Sequence, residues 1–393
     1  MSNRLSVWRD PVLCFLLVAG SLTVMAGAVI APILPELIVH LELNRGWAGS
    51  LVSIHYLTLG IFSPLLGIMA DRYGQLRLLI PCLLGYAITG VGGAFLSNFQ
   101  LLFWDRALLG IASGGIAAAS LGLLSRRYEG DLRQQAIAHA ATAITLANIL
   151  YPLLAVGIGH FNWRLAFGLY GISAVLAIFA GALFRQQNHL KVTSSLASNP
   201  SVSPGALLKS PACLRIFLSL TLVSAIVYGT IIYLPIYLKM HLGTDLLWNG
   251  IALALQAVGA ALSSAWLMQP LVRRFGSLRL VAFSLGCMAV FLVLFPCLNQ
   301  LWLLLLVSCL FGLSFGLVTP SLYSILANLA PPHLQSSILA TGIGTGFLGQ
   351  FLSPLLLGPL LNVTGLQGVF NACAFVALVL GLSLLIPLKP VTP

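Results

Sequence analysis

Asp105 and Arg106 stand side by side about seven residues into a long apolar run, roughly 10 Å below its boundary at 1.5 Å of rise per residue. His55 lies at a comparable depth in another run, and Glu36 follows Pro35 near the end of a third. A charge in such surroundings costs several kcal/mol on most estimates, so each is a candidate for chemistry. Stepping by three and four from Arg106 meets Gly110, Ser113, Gly114 and Ala117. A face that small packs closely on neighbours or lines a cavity. Arg106 is therefore expected to point inward, holding a neighbouring carboxylate ionised or binding an anion; the alternative is an arginine that snorkels outward. Asp105 shares its stripe with Leu101, Leu102, Leu108 and Leu109 and reads either as a proton carrier or as the partner of a basic group on a neighbouring helix. His55, which titrates near physiological pH, reads as a proton relay or as a ring tied to a neighbour. Glu36 reads as a gate carboxylate or as a solvated residue.

The chain carries no Ser/His/Asp set, HExxH, P-loop or dinucleotide-binding glycine pattern in a plausible context. Gly92-Gly93 sits within an apolar run and is no phosphate loop. The seven cysteines show no CxxC spacing and read as buried small hydrophobes. Neither an enzyme nor a metal or cofactor site is expected.

These residues must be positioned by elements of an unusual kind. Hydrophobic residues make up 59% of the 393 and charged residues 7%, with a mean hydropathy of +1.02. A soluble core needs no such excess, so the chain belongs to the polytopic membrane class. The net charge of +11 is not a nucleic-acid footprint: all but Arg45, Arg106, Arg164 and Lys239 of the 19 Lys and Arg fall on one side of the implied topology. That asymmetry places both termini in the cytoplasm of a multi-pass protein of the cell (inner) membrane.

Twelve spans are predicted, roughly 11 to 35, 47 to 69, 78 to 97, 99 to 124, 136 to 159, 163 to 184, 213 to 238, 249 to 269, 278 to 297, 301 to 329, 336 to 361 and 366 to 386. They divide into a cytoplasmic N-terminus (1–10), a six-helix bundle (11–184), a Ser- and Pro-rich linker (185–211), a second six-helix bundle (212–387) and a tail (388–393). The second half repeats the first. Arg72 and Arg274 are 202 residues apart, and Gly74 and Gly276, Arg77 and Arg279, Gly110 and Gly312, Gly114 and Gly316, and Pro152 and Pro354 share that spacing. One constant spacing over so long a stretch argues for two equivalent halves.

Gly67, Asp71, Arg72, Gly74 and Arg77 form the pattern G-x-x-x-D-R-x-G-x-x-R between the second and third spans. That loop resembles the signature of the major facilitator superfamily. Arg106-Ala107-Leu108-Leu109-Gly110 with Gly114 and Gly115 is similar to its fourth-helix motif. Ala31-Pro32-Ile33-Leu34-Pro35-Glu36 and Gly349-Gln350-Phe351-Leu352-Ser353-Pro354 resemble its twelve-helix drug:proton antiporter and metabolite exporter branch. That branch's fifth-helix motif has glycines around its proline, which Tyr151-Pro152-Leu153-Leu154-Ala155-Val156 lacks.

The resemblance implies an all-α membrane fold of two pseudo-symmetric six-helix bundles, and a monomer. It also implies a part for Arg106 in proton coupling, with Asp105, His55 and Glu36 as the other candidates. Asp71 and Arg72 are expected to latch the cytoplasmic side, with Glu129 and Asp131 as acidic partners for Arg72 and Arg77. Polar residues on small faces mark a cavity: Asn148, Tyr151, Tyr228, Gln256, Thr319, Tyr323 and Gln350. The expected function is proton-coupled export of a small, largely apolar organic compound. The partners are that substrate, protons and the lipid bilayer. An importer or facilitator on the same fold, and a non-transporting sensor or assembly protein, are the alternatives.

Overall fold

The computed structural model describes residues 10–128, 130–184, 210–329 and 335–385, and every regular element among them is a helix. They divide into two compact units: the first holds 10–44, 48–128 and 130–184 together with Asp245–Gly250, and the second holds Arg45–Trp47, 210–244, 251–329 and 335–385. Most of the expected linker, the first nine residues and the expected tail lie outside the described residues.

The first unit contains α1 (Pro11–His40), most of α2 (Arg45–Tyr73), α3 (Gln75–Gly92), α4 (Phe99–Arg127) and α5 (Gly130–Gly159). Its last helix, α6, is a 3-10 stretch Trp163–Gly171 running into Ile172–Phe184. Polar caps set the starts. Asp10 accepts the Val12 N–H at 3.0 Å with Pro11 following, Asn98 that of Gln100 at 2.8 Å, and Asn162 that of Arg164 at 2.9 Å, each satisfying an amide that the helix leaves unpaired.

The second unit contains α7 (Pro211–Leu242), most of α8 (Leu246–Phe275), α9 (Ser277–Leu294) and α10 (Leu301–Leu329). A 51-residue run, Gln335–Leu385, completes it. Among the described residues eleven runs are long and apolar enough to cross a membrane. The last of them is two helices, α11 and α12, broken at Gly365, where φ is +69° and ψ −174°. Only glycine adopts that conformation readily, and it supplies the break expected between 361 and 366, giving twelve helices among the described residues.

The repeat is written into the lengths. The helices α3 and α9 each have 18 residues, each running on into a three-residue 3-10 turn, Gly93–Phe95 and Phe295–Cys297. Both α4 and α10 have 29, and Gly74 and Gly276 both turn the chain at positive φ, +103° and +80°. In another pair α2 has 29 residues and α8 has 30. Residues Ser263–Leu267 of α8 form a π turn, the device by which a helix absorbs one extra residue.

Contacts upstream of that turn confirm the count. A Cβ on Gly110 would lie 2.3 Å from the His55 carbonyl oxygen, and one on Gly312 would lie 2.1 Å from that of Gln256. Gly110 and Gly312 keep the 202 spacing, whereas His55 and Gln256 are one residue closer.

Each unit buries several aromatics and turns other large apolar side chains outward. Tyr86, Phe167 and Tyr170 are buried in the first, and Tyr233, Phe295, Phe311 and Phe370 in the second, while Ile88, Trp104, Ile178, Trp266, Phe283 and Phe375 are exposed. An exterior of large apolar side chains suits hydrocarbon, where the helices satisfy their own backbone.

Candidate functional site

The first unit is built around a buried arginine. Arg106 is 1% exposed, and its Nη2 lies 2.6 Å from Asp105 Oδ2, with Nε at 3.1 Å from the same oxygen. Neighbours in a helix face about 100° apart, yet the long guanidinium stem folds back to close the pair. The same Nη2 donates to the carbonyl oxygens of Thr89 at 2.9 Å and Gly90 at 3.3 Å. Those carbonyls belong to the last turn of α3, the negative end of a helix dipole, where a cation is favoured. Arg106 therefore caps α3 from outside it, while Asp105, whose side chain is 12% exposed, balances the charge.

Two rings complete the enclosure. The Arg106 guanidinium carbon sits 5.3 Å from the Phe167 centroid and 5.2 Å from that of Tyr170. In a 3-10 helix residues three apart eclipse, so the opening of α6 presents both rings on one face. Such cation–π contacts contribute about 2 kcal/mol when desolvated. Space comes from glycine: a Cβ on Gly93 would lie 2.6 Å from Arg106 Nη2, and one on Gly90 would lie 2.2 Å from Tyr170 Cβ. The phenol of Tyr170 donates to Ala26 O at 3.0 Å and that of Tyr86 to Leu22 O at 2.6 Å, tying the enclosure to α1.

His55 is 1% exposed and lies within electrostatic reach of Arg106. Its ring is 3.9 Å from that of Tyr56, centroid to centroid. One ring nitrogen hydrogen-bonds the Val52 backbone, while Nε2 has no partner; so too Arg106 Nη1. A buried polar atom left in this way costs about 1–3 kcal/mol. Glu36 is half-buried and 3.7 Å from His40 at the end of α1.

At the Gly74 turn, Asp71 pairs with Arg126 of α4 at 2.8 Å and accepts from Gln75 Nε2 at 3.1 Å. Gln75 fits a notch that any Cβ on Gly122 would fill, 2.0 Å from Oε1. Arg72 lies over the Tyr73 ring. Gly67 faces Ala118, and Arg77 reaches back to Gly74. Glu129 and the side chain of Asp131 lie outside the described residues.

A second polar cluster at this end did not stand out in the sequence. Arg127 holds Asp10 through both carboxylate oxygens, at 2.8 and 3.2 Å, and Tyr128 donates to it at 2.5 Å. Burial alone would raise the Asp10 carboxyl, but these bonds, the Val12 N–H and the Arg127 charge together hold it below the usual carboxylate range. Burial, then the bond to Asp10 and its negative charge, push the Tyr128 phenol up to about 12.

The expected cavity residues differ in their surroundings. In the first unit Asn148 is exposed and donates to Ile144 O, whereas Tyr151 is buried against Ser21 Oγ at 2.7 Å. In the second, Tyr228 and Gln256 are buried, and Thr319, Tyr323 and Gln350 are half-buried. Gln256 Nε2 and Gln350 Oε1 have no hydrogen-bond partner, and Tyr323 packs against Gly342 and Gly346 of α11. Among the described residues no group of His, Cys, Asp and Glu could hold a metal ion.

A family model described as Major Facilitator Superfamily matches residues 16–340 and again 249–393. The chain belongs to the Major Facilitator Superfamily. Membership makes it a multi-pass membrane transporter and not an enzyme. Within the superfamily it is 23% identical over 345 residues to the quinolone resistance protein NorA of Staphylococcus aureus, covering 85% of this chain and 86% of that one. It is 25% identical over 361 residues to the multi-drug resistance efflux pump PmrA of Streptococcus pneumoniae, covering 88% and 89%. Among solved structures it superposes on the nucleoside transporter NupG with a TM-score of 0.76 at 17% identity, covering 96% of this chain and 100% of that one. That likeness concerns the superfamily fold alone.

Proposed function

We propose that this transporter exports a small, largely apolar organic compound in exchange for protons, by alternating access, as a monomer in the cell membrane with both termini cytoplasmic. The observation that carries the reading is the Asp105–Arg106 pair: a carboxylate at the edge of exposure against a guanidinium that is sealed in. Protonating Asp105 takes the pair from neutral to a charge of plus one inside the bundle. A cycle that takes up a proton on one side and releases it on the other needs a centre with two such states. The likeness to NorA and PmrA supports export and a drug-like substrate. The orphan amide of Gln256 and the phenols of Tyr228 and Tyr323 suit a mainly apolar compound carrying a few polar groups.

The test is transport across a compound panel in everted vesicles under an imposed pH gradient. Arg106→Ala and Asp105→Asn are each expected to remain in the membrane and to lose gradient-driven transport. Normal gradient-driven transport by either variant would overturn the coupling assignment. Facilitated import is a second reading, favoured by the loss of glycines around Pro152. Substrate retention by whole cells with and without a protonophore separates the two.

A further inference from the structure

The π turn of α8 keeps two polar residues in equivalent places. Upstream of it, His55 lies against Gly110 in the first unit as Gln256 lies against Gly312 in the second, backbone to backbone at the glycine. Without the turn, the surplus residue would rotate Gln256 about 100° away from that glycine. Both side chains are more than nine-tenths buried, and in both one nitrogen has no hydrogen-bond partner. His55 gives its one ring N–H to the Val52 backbone, so its Nε2 offers a lone pair; Gln256 Nε2 offers an N–H.

We propose that His55 is a substrate-selectivity residue, its Nε2 accepting a hydrogen bond from an N–H or O–H group of the transported compound. The proposal rests on the transport reading above and gives the substrate a chemical feature, a hydrogen-bond donor on an otherwise apolar body. Gln256 is the equivalent position of the second unit. It shows that a neutral amide is accommodated where the first unit has imidazole, so the place asks for a hydrogen-bonding side chain and not for a titrating one.

The test uses the full-length protein in liposomes and pairs of compounds differing in one donor, a phenol against its methyl ether and a secondary amine against its N-methyl derivative. Counterflow exchange, which needs no pH gradient, reads recognition; a second set of liposomes with an imposed gradient reads coupling. Wild type is expected to favour the donor-bearing member. In His55→Leu the KM for that member rises about tenfold, the worth of one hydrogen bond at a buried site, while its methylated partner exchanges at the wild-type rate, which also shows that the variant is folded. His55→Gln, whose Oε1 can stand in for Nε2, restores the preference. An unchanged preference in His55→Leu, or none in wild type, overturns the proposal. Loss of pH-driven transport in His55→Gln with discrimination intact overturns it in favour of a proton relay. Wild-type counterflow without any response to the gradient sinks the coupling reading alone.

Discussion

Arg127 reaches back along the chain to hold both carboxylate oxygens of Asp10, its Nε at 2.8 Å from Oδ2 and its Nη2 at 3.2 Å from Oδ1. The first residue before α1 is thereby fastened to the last turn of α4, and the same carboxylate caps α1. A carboxyl whose folded value is depressed stabilises the fold above its unfolded value and loses that contribution as pH falls through the folded one. The thermal midpoint of the purified protein in detergent is therefore expected to drop on acidification below about pH 4, the unfolded range of aspartate. In Asp10→Asn, which keeps the cap, this acid-dependent part should be missing, and a midpoint with the same pH dependence as wild type would contradict the assignment.

Tyr128 completes that cluster. Tyr128→Phe removes one donor to a charged acceptor in a half-screened site and should cost about 1 kcal/mol. The loss should vanish in the Asp10→Ala background, as a double-mutant cycle in detergent would register.

Arg106 carries structure as well as charge. Arg106→Ala leaves Asp105 unpaired and removes the donor to the Thr89 and Gly90 carbonyls, so a loss of about 3–5 kcal/mol is expected. Restoring the balance with Asp105→Ala in the same chain should recover part of it. Thermal midpoints of Arg106→Ala, Asp105→Ala and the double variant check this, and additive losses would mean that the pair is not coupled in the fold.

Asp71 and Arg126 make an exposed pair, worth at most about 1 kcal/mol. Asp71→Asn should leave the thermal midpoint nearly unchanged. A large fall in transport rate at unchanged stability would assign Asp71 to the conformational cycle, and wild-type transport would make it a topological charge only.

Glycines supply a contrast between crowded and open helix positions. Gly110→Ala and Gly312→Ala place a methyl against backbone and should each cost about 1–3 kcal/mol. Gly20→Ala and Gly286→Ala, with nothing within 4 Å of the added atom, should be neutral or stabilising by up to about 1 kcal/mol. Melting of the four variants side by side measures the difference.

Much of the fold was legible because hydrocarbon demands long apolar runs and the duplication repeats their spacing. Even the break before α12 coincides with a glycine between two predicted spans. The inward aim of Arg106 was readable from the small face it shares with Gly110 and Gly114. Its partners were not. Spacing put Asp105 on a different face, and no local pattern shows that an arginine stem will fold back, or that α6 opens in a 3-10 stretch bringing Phe167 and Tyr170 together. The partner of Asp71 is 55 residues away and that of Asp10 is 117. Contacts so distant in the chain follow from packing and leave no periodic trace. The apolar content of α8 hides its surplus residue, since a π turn has no composition of its own.

That surplus residue bears on any attempt to treat the halves as interchangeable parts. A hybrid helix that begins as α2 and ends as α8 keeps its register at an interval of 201 if the joint lies before Ser263, and at 202 if it lies after Leu267. Mirrored cysteine pairs chosen by the 202 interval alone would face the same way after Leu267 and diverge by about 100° before Ser263.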